Sequence, residues 1–210
     1  MTTKDYSPTA EEVRALREAT GAGMMDCKRA LAEAGGDPDR AQEILRTKGL
    51  AGVEKRAGRS AKDGLVEAYI HMQGRLGVLV EVNCETDFVA KTDEFRQLAR
   101  DVAMHIAASN PRWVGRDEVP EDLLESERKI YAEQARAQNK PDNVIEKIVG
   151  GKLQSFFKDH GGVLLDQPFV KDDSKTVGDL VNEVAAKIGE KVAVRRFARF
   201  KLGEDEGQAR

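Results

Sequence analysis

The residues best placed to do chemistry lie in one run, Thr86-Asp87-Phe88-Val89-Ala90-Lys91-Thr92-Asp93-Glu94-Phe95. The run follows an alternating apolar strand and sets an aromatic ring beside a carboxylate where a helix starts. Those groups are suited to recognition rather than to making or breaking bonds. Aromatic residues are only 5% of the chain, and Phe88 lies outside the helical stripe that begins at Phe95. The core therefore gives no reason for a ring at that position.

Groups that ordinarily carry covalent chemistry are dispersed. The paired acids Asp172-Asp173 and Asp93-Glu94 stand in charged text, where solvation is their expected role. His71 continues a strand pattern, His105 a helix pattern, and His160 stands apart from both, so each reads as a packed or surface imidazole. Cys27 and Cys84 are far apart with no CxxC and no clustered His, and read as reduced thiols that pack as small hydrophobes. No P-loop, glycine fingerprint after a strand or nucleophile elbow is present. The sequence predicts a protein that acts by binding, with no catalytic residue, no cofactor and no metal.

Composition agrees with that reading. The 210 residues carry 34 basic against 37 acidic side chains, a net charge of -3, so no field of one sign marks the protein for nucleic acid or membrane. Its polar start lacks an apolar leader, and no run approaches the roughly 20 apolar residues of a membrane span. A cytoplasmic location is expected.

The elements that must position the Phe88 run follow from periodicity. Residues 1–50 read as a three-helix head: a helix from about Thr9 with Val13 and Leu16 on its apolar side, a second over about Met24 to Ala34, and a third after Asp37-Pro38, with Ala41, Ile44 and Leu45 inward. Such a head is expected to be marginally stable and free to swing. Met24 and Met25 are adjacent, so both cannot enter a three-helix core, and their adaptable side chains suit a binding surface. Residues 51–63 read as a basic, weakly helical linker. They lack interleaved aromatics, so direct nucleic-acid contact is not expected.

Residues 64–210 read as an α/β core. Strands over Leu65–Met72 and Leu76–Asn83 join through Gln73-Gly74-Arg75, and a third strand over Val192–Leu202 closes the sheet, with Arg195, Arg196 and Arg199 on a solvated edge. Phe95, Leu98, Ala99, Val102, Ala103 and Ile106 mark one amphipathic helix, and Val177, Leu180, Val181, Val184, Ala185 and Ile188 another. Helices over about Glu121–Asn139 and Pro141–Phe157 form a projecting hairpin. The fold class is α+β, with a three-stranded antiparallel sheet covered by helices.

Two stretches carry a family resemblance over nearly the whole chain. They are Leu16-Arg17-Glu18-Ala19-Thr20-Gly21-Ala22-Gly23-Met24-Met25-Asp26-Cys27-Lys28-Arg29-Ala30-Leu31 and Glu81-Val82-Asn83-Cys84-Glu85-Thr86-Asp87-Phe88-Val89-Ala90-Lys91. Together they resemble bacterial translation elongation factor Ts in its short form. The resemblance implies a ubiquitin-associated-like head and guanine-nucleotide exchange on elongation factor Tu. Thr86, Asp87, Phe88 and Val89 would enter the partner's nucleotide domain near its magnesium, and Leu16, Met24 and Met25 would grip the same domain. It further implies a homodimer. Some short-form relatives have a cysteine in the final strand where this chain reads Phe197-Ala198-Arg199-Phe200, so dimerisation would rest on packing alone.

Overall fold

The computed structural model describes residues 6–204. Three helices open it: α1 (Ala10–Thr20), α2 (Met24–Ala34) and α3 (Pro38–Arg56). Thr9 caps α1 in a capping box with Glu12, and Asp37 accepts from the amides of Asp39 and Arg40 with Pro38 at the first helical position. Val13, Leu16, Cys27, Ala30, Leu31, Ala34 and Ala41 form their small common core.

The third helix runs on beyond residue 50. Residues 51–56, read above as weakly helical linker, complete its last turns. Val53 packs against the core of the larger part, and the Arg56 guanidinium donates to the Ala185 carbonyl at 3.2 Å. The head is thus docked through its own last helix, against the expectation that it swings.

In the larger part, β1 (Asp63–His71) and β2 (Leu76–Cys84) are antiparallel neighbours. The turn between them places Met72 and Gln73 as well as Gly74 at positive φ. The one-turn helix α4 (Asp87–Ala90) follows, then α5 (Asp93–Ser109). The helices α6 (Glu121–Ala137) and α7 (Asp142–Lys158) pack together as the expected hairpin, rooted on a cluster of Trp113, Val119, Leu124, Phe157 and Val163. A small ladder of β3 (Pro168–Phe169) and β4 (Asp172–Thr176) leads into α8 (Val177–Ile188), and β5 (Ala193–Lys201) pairs with β2. The sheet order is β1-β2-β5.

The sheet has one dry face and one bare face. Val78, Val80 and Val82 are buried with Phe95, Leu98, Val102 and Ile106 of α5 and Val177, Val181 and Ala185 of α8. That burial is the main reason the strand alternation and the helical stripes persist together. On the opposite face, strand register aligns Ile70 with Gly77 and Phe200, then Ala68 with Leu79 and Ala198, then Val66 with Glu81 and Arg196. Val66, Ile70, Leu79 and Phe200 are all exposed there.

One arginine departs from expectation. Arg199 does not join a solvated edge: it is buried on the covered face, where it donates to both Glu204 carboxylate oxygens at 2.9 Å. Arg195 and Arg196 are both exposed, and Arg196 pairs with Glu81 at 2.7 Å.

Candidate functional site

The site is built at the point where β2 stops. Thr86 is the N-cap of α4, and its hydroxyl accepts from the Val89 amide at 3.4 Å. Val89 and Ala90 turn inward onto the main core, while Asp87 and Phe88 face solvent. Phe88 is 79% exposed, more than any other large apolar side chain described. Leaving it so forgoes roughly 1.5–3 kcal/mol of burial. Asp87 is held below the usual carboxylate range, chiefly by the Lys91 ammonium that donates to it at 2.6 Å from one turn below. One turn of helix therefore presents a ring and a carboxylate and anchors itself by its other side.

Behind this turn stands a contact with no signal in the local sequence. The Glu190 carboxylate, just past the end of α8, accepts from the amides of Glu85 and Thr86 at 3.0 and 3.1 Å and from the Thr86 hydroxyl at 2.7 Å. Glu85 answers in the reverse direction, accepting from the Lys191 amide at 2.6 Å, and Arg59 lies at 3.3 Å. The Lys191 amide is the leading cause that lowers the Glu85 carboxyl from its ordinary value. Cys84, buried beneath, donates to the Thr86 carbonyl at 3.1 Å. Burial, reinforced by the Glu190 charge, pushes its thiol up to about 11, so it is a packing group rather than a nucleophile.

The head residues divide. Met24 and Met25 are 50% and 63% exposed at the start of α2. Leu16, expected on the same gripping surface, is 5% exposed and belongs to the head core. Its spacing of three from Val13 puts both on one face of α1, and that face is the one α2 and α3 cover. The head and the first turn of α5 are tied by Lys187 of α8. Its stem runs over Gly21, where an added Cβ would lie 2.3 Å from the lysine Cε, and its ammonium pairs with Glu94 at 2.6 Å. The α1–α2 turn and the first turn of α5 thus meet at one side chain.

Among the described residues no group of three or more His, Cys, Asp and Glu could hold a metal ion, and no helix is long and apolar enough to cross a membrane. The three histidines do not meet. His105 is buried in α5, with Nε2 3.0 Å from the Gln167 amide oxygen and Nδ1 accepting from the Val170 amide at 3.2 Å.

The family model for elongation factor TS matches residues 51–204, which include the sheet, α4 and Glu190. The chain belongs to the elongation factor Ts family. It is 60% identical to the elongation factor Ts of Carboxydothermus hydrogenoformans over 196 residues, covering 93% of this chain and 89% of the relative. It is 57% identical to that of Moorella thermoacetica over 195 residues, 93% of this chain and 95% of the relative. With that of Fervidobacterium nodosum the identity is 55% over 196 residues, 93% and 98% of the two chains. An elongation factor Ts works in translation elongation, and the α+β fold with its antiparallel sheet is the one expected from the resemblance.

Proposed function

We propose that this elongation factor Ts is a cytoplasmic guanine-nucleotide exchange factor for elongation factor Tu, acting through Asp87 and Phe88. The observation that carries the reading is an exposed aromatic ring on a braced single turn of helix, next to a carboxylate, within a chain of this family. Thr86 caps that turn and Val89 roots it, so the two expected contact residues on either side are supports.

Magnesium bridging nucleotide phosphates is a large local charge, and its ligands are set by precise geometry. A ring forced between the side chains that hold those ligands weakens nucleotide binding without chemistry of its own. Coupling is reciprocal, so GDP weakens the factor's grip by the same ratio, and the ternary complex is short-lived. Met24 and Met25 supply a second contact on the partner. Leu16 serves them from behind by fixing α1 against α2. In domain terms, the three helices through Arg56 form the gripping head, residues 57–62 join it to the rest, and the part that begins with β1 at Asp63 holds the exchange and dimerisation surfaces.

The bare sheet face supports a second copy of this chain as a further partner. Three strands about 4.8 Å apart and nine residues at about 3.4 Å give a face of roughly 14 by 30 Å. Within it, Val66, Ile70, Leu79 and Phe200 stand exposed as an apolar patch, and exposed apolar patches mark interaction sites on a soluble protein. Two such faces stacked about 10 Å apart make an ordinary sandwich core, with the Glu81–Arg196 pair near its rim. With no cysteine at 197–200, the contact is purely non-covalent.

Release of fluorescent GDP from elongation factor Tu, followed with and without this chain, tests the reading. Acceleration supports exchange, and binding without acceleration overturns it.

A further inference from the structure

We infer that Glu190 is a positioning residue for exchange: it acts through Thr86 to hold the Phe88 turn rigid, although it does not touch the partner. The inference rests on the exchange reading above and goes beyond it, because neither the family match nor the Phe88 run singles out Glu190.

The geometry is specific. One Glu190 oxygen takes the amides of Glu85 and Thr86, and the other takes the Thr86 hydroxyl proton. A threonine hydroxyl has one proton and two lone pairs. With its proton committed to Glu190, its lone pairs are turned toward the Val89 amide, which is the bond that caps α4. Glu190 thereby orders the cap of a helix far too short to persist alone. Its own position is fixed on both sides. Gly189 ends α8 at φ 82°, a left-handed conformation that suits glycine, and the Lys191 amide is held by Glu85. The result is a two-way clasp between the β2–α4 loop and the α8–β5 loop, more than 100 residues apart along the chain.

A ring that must wedge between a partner's side chains works only if its support does not yield. An unbraced turn loses the order it needs before contact, and that cost falls on the exchange step.

The test uses the full chain and four variants, Glu190→Ala, Glu190→Asp, Glu190→Gln and Phe88→Ala, with the double variant Glu190→Ala/Phe88→Ala. Readouts are GDP release from elongation factor Tu and amide hydrogen exchange at Glu85, Thr86 and Val89. Glu190→Ala is expected to slow exchange by about 10-fold or more, up to the roughly 10- to 100-fold expected for loss of the ring itself. In the Phe88→Ala background it should add less than about twofold, because a residue acting through Phe88 has nothing left to act on. Glu190→Gln keeps the reach and one acceptor oxygen for the two amides. Its NH2 can donate to the Thr86 hydroxyl while the second lone pair of that hydroxyl still faces the Val89 amide, so it should retain most activity. Glu190→Asp keeps the charge but withdraws it by about one carbon–carbon bond, roughly 1.5 Å, and should behave like Ala. If Glu190→Ala fails to fold, the Gln and Asp pair decides.

Losses that multiply in the double variant, or Asp outperforming Gln, overturn the inference. So does unchanged amide protection at residues 85–89 in Glu190→Ala or Glu190→Asp. Failure of the wild-type chain to accelerate release, or full activity of Phe88→Ala, would instead overturn the exchange reading. The hydrogen-exchange arm still decides whether Glu190 braces the turn.

Discussion

Phe200→Ala should abolish the proposed self-association through the sheet face while leaving each chain folded. The ring lies on the bare sheet face beside Gly77 in the register, and it is 63% exposed. Taking a Phe as about 200 Å2, that fraction leaves roughly 130 Å2 of ring available for burial by a partner. At about 25 cal/mol per Å2 this is about 3 kcal/mol per copy. A two-fold dimer buries the ring twice, so the ceiling is about 6 kcal/mol, or roughly 10,000-fold in the dissociation constant. Area converts incompletely across interfaces, and alanine still covers part of the patch, so about 100-fold is the expected floor. Sedimentation equilibrium over a range of concentrations reads this directly, with circular dichroism confirming that the monomer is intact. Ile130→Ala is the control, since Ile130 is also exposed but lies on α6 away from the sheet. Wild type that is monomeric throughout, or Phe200→Ala that dimerises within about threefold of wild type, would refute the sheet-face reasoning.

Two further predictions separate packing from contact. Leu16→Ala should cost the head about 2–5 kcal/mol, seen as faster hydrogen exchange of α1 and α2 amides, because it opens a cavity in a small core; Met25→Ala should leave that protection unchanged and weaken binding to elongation factor Tu. Stability should also fall on acidification through His105. Burial, partly opposed by the Gln167 contact, lowers its imidazole from the ordinary 6.5, so the unfolded chain binds the proton first and stability present above that value is lost as pH falls below it. A denaturant midpoint that drops between about pH 7 and about pH 5 in wild type but stays flatter in His105→Asn is expected; equal slopes in the two proteins would exclude His105 as the source.

The parts of the fold that were legible in the sequence are those where burial imposes a period. β2 alternates because one face is dry, and the Phe95 to Ile106 stripe persists because α5 lies on that face. Phe88 could be picked out for the opposite reason, as an aromatic ring with no place in either period. The ladder of β3 and β4 was not legible, because Asp172–Thr176 is polar and largely exposed and its partner strand is two residues long. The last turns of α3 were read as linker because Gly49 and Gly52 interrupt them and no apolar stripe runs through. They are held by contact with α8, a partner distant in sequence.

The candidate site was half legible. Asp87, Phe88, Met24 and Met25 lie exposed as expected, whereas Leu16 had already been placed on the apolar side of α1 and is buried there. Glu190 stands in ordinary charged text, and its part emerges only when the chain brings it back against Glu85 and Thr86. Arg199 likewise reads as one of three edge arginines, and only the covered face of the sheet and its ion pair with Glu204 show it to be buried.

The most direct measurement is stopped-flow release of fluorescent GDP from elongation factor Tu by wild type and by Phe88→Ala. Wild type should accelerate release, and the variant should lose about 10- to 100-fold of that acceleration, the value of one buried Phe, with its circular dichroism unchanged. A folded Phe88→Ala chain that releases GDP as fast as wild type would contradict the wedge outright.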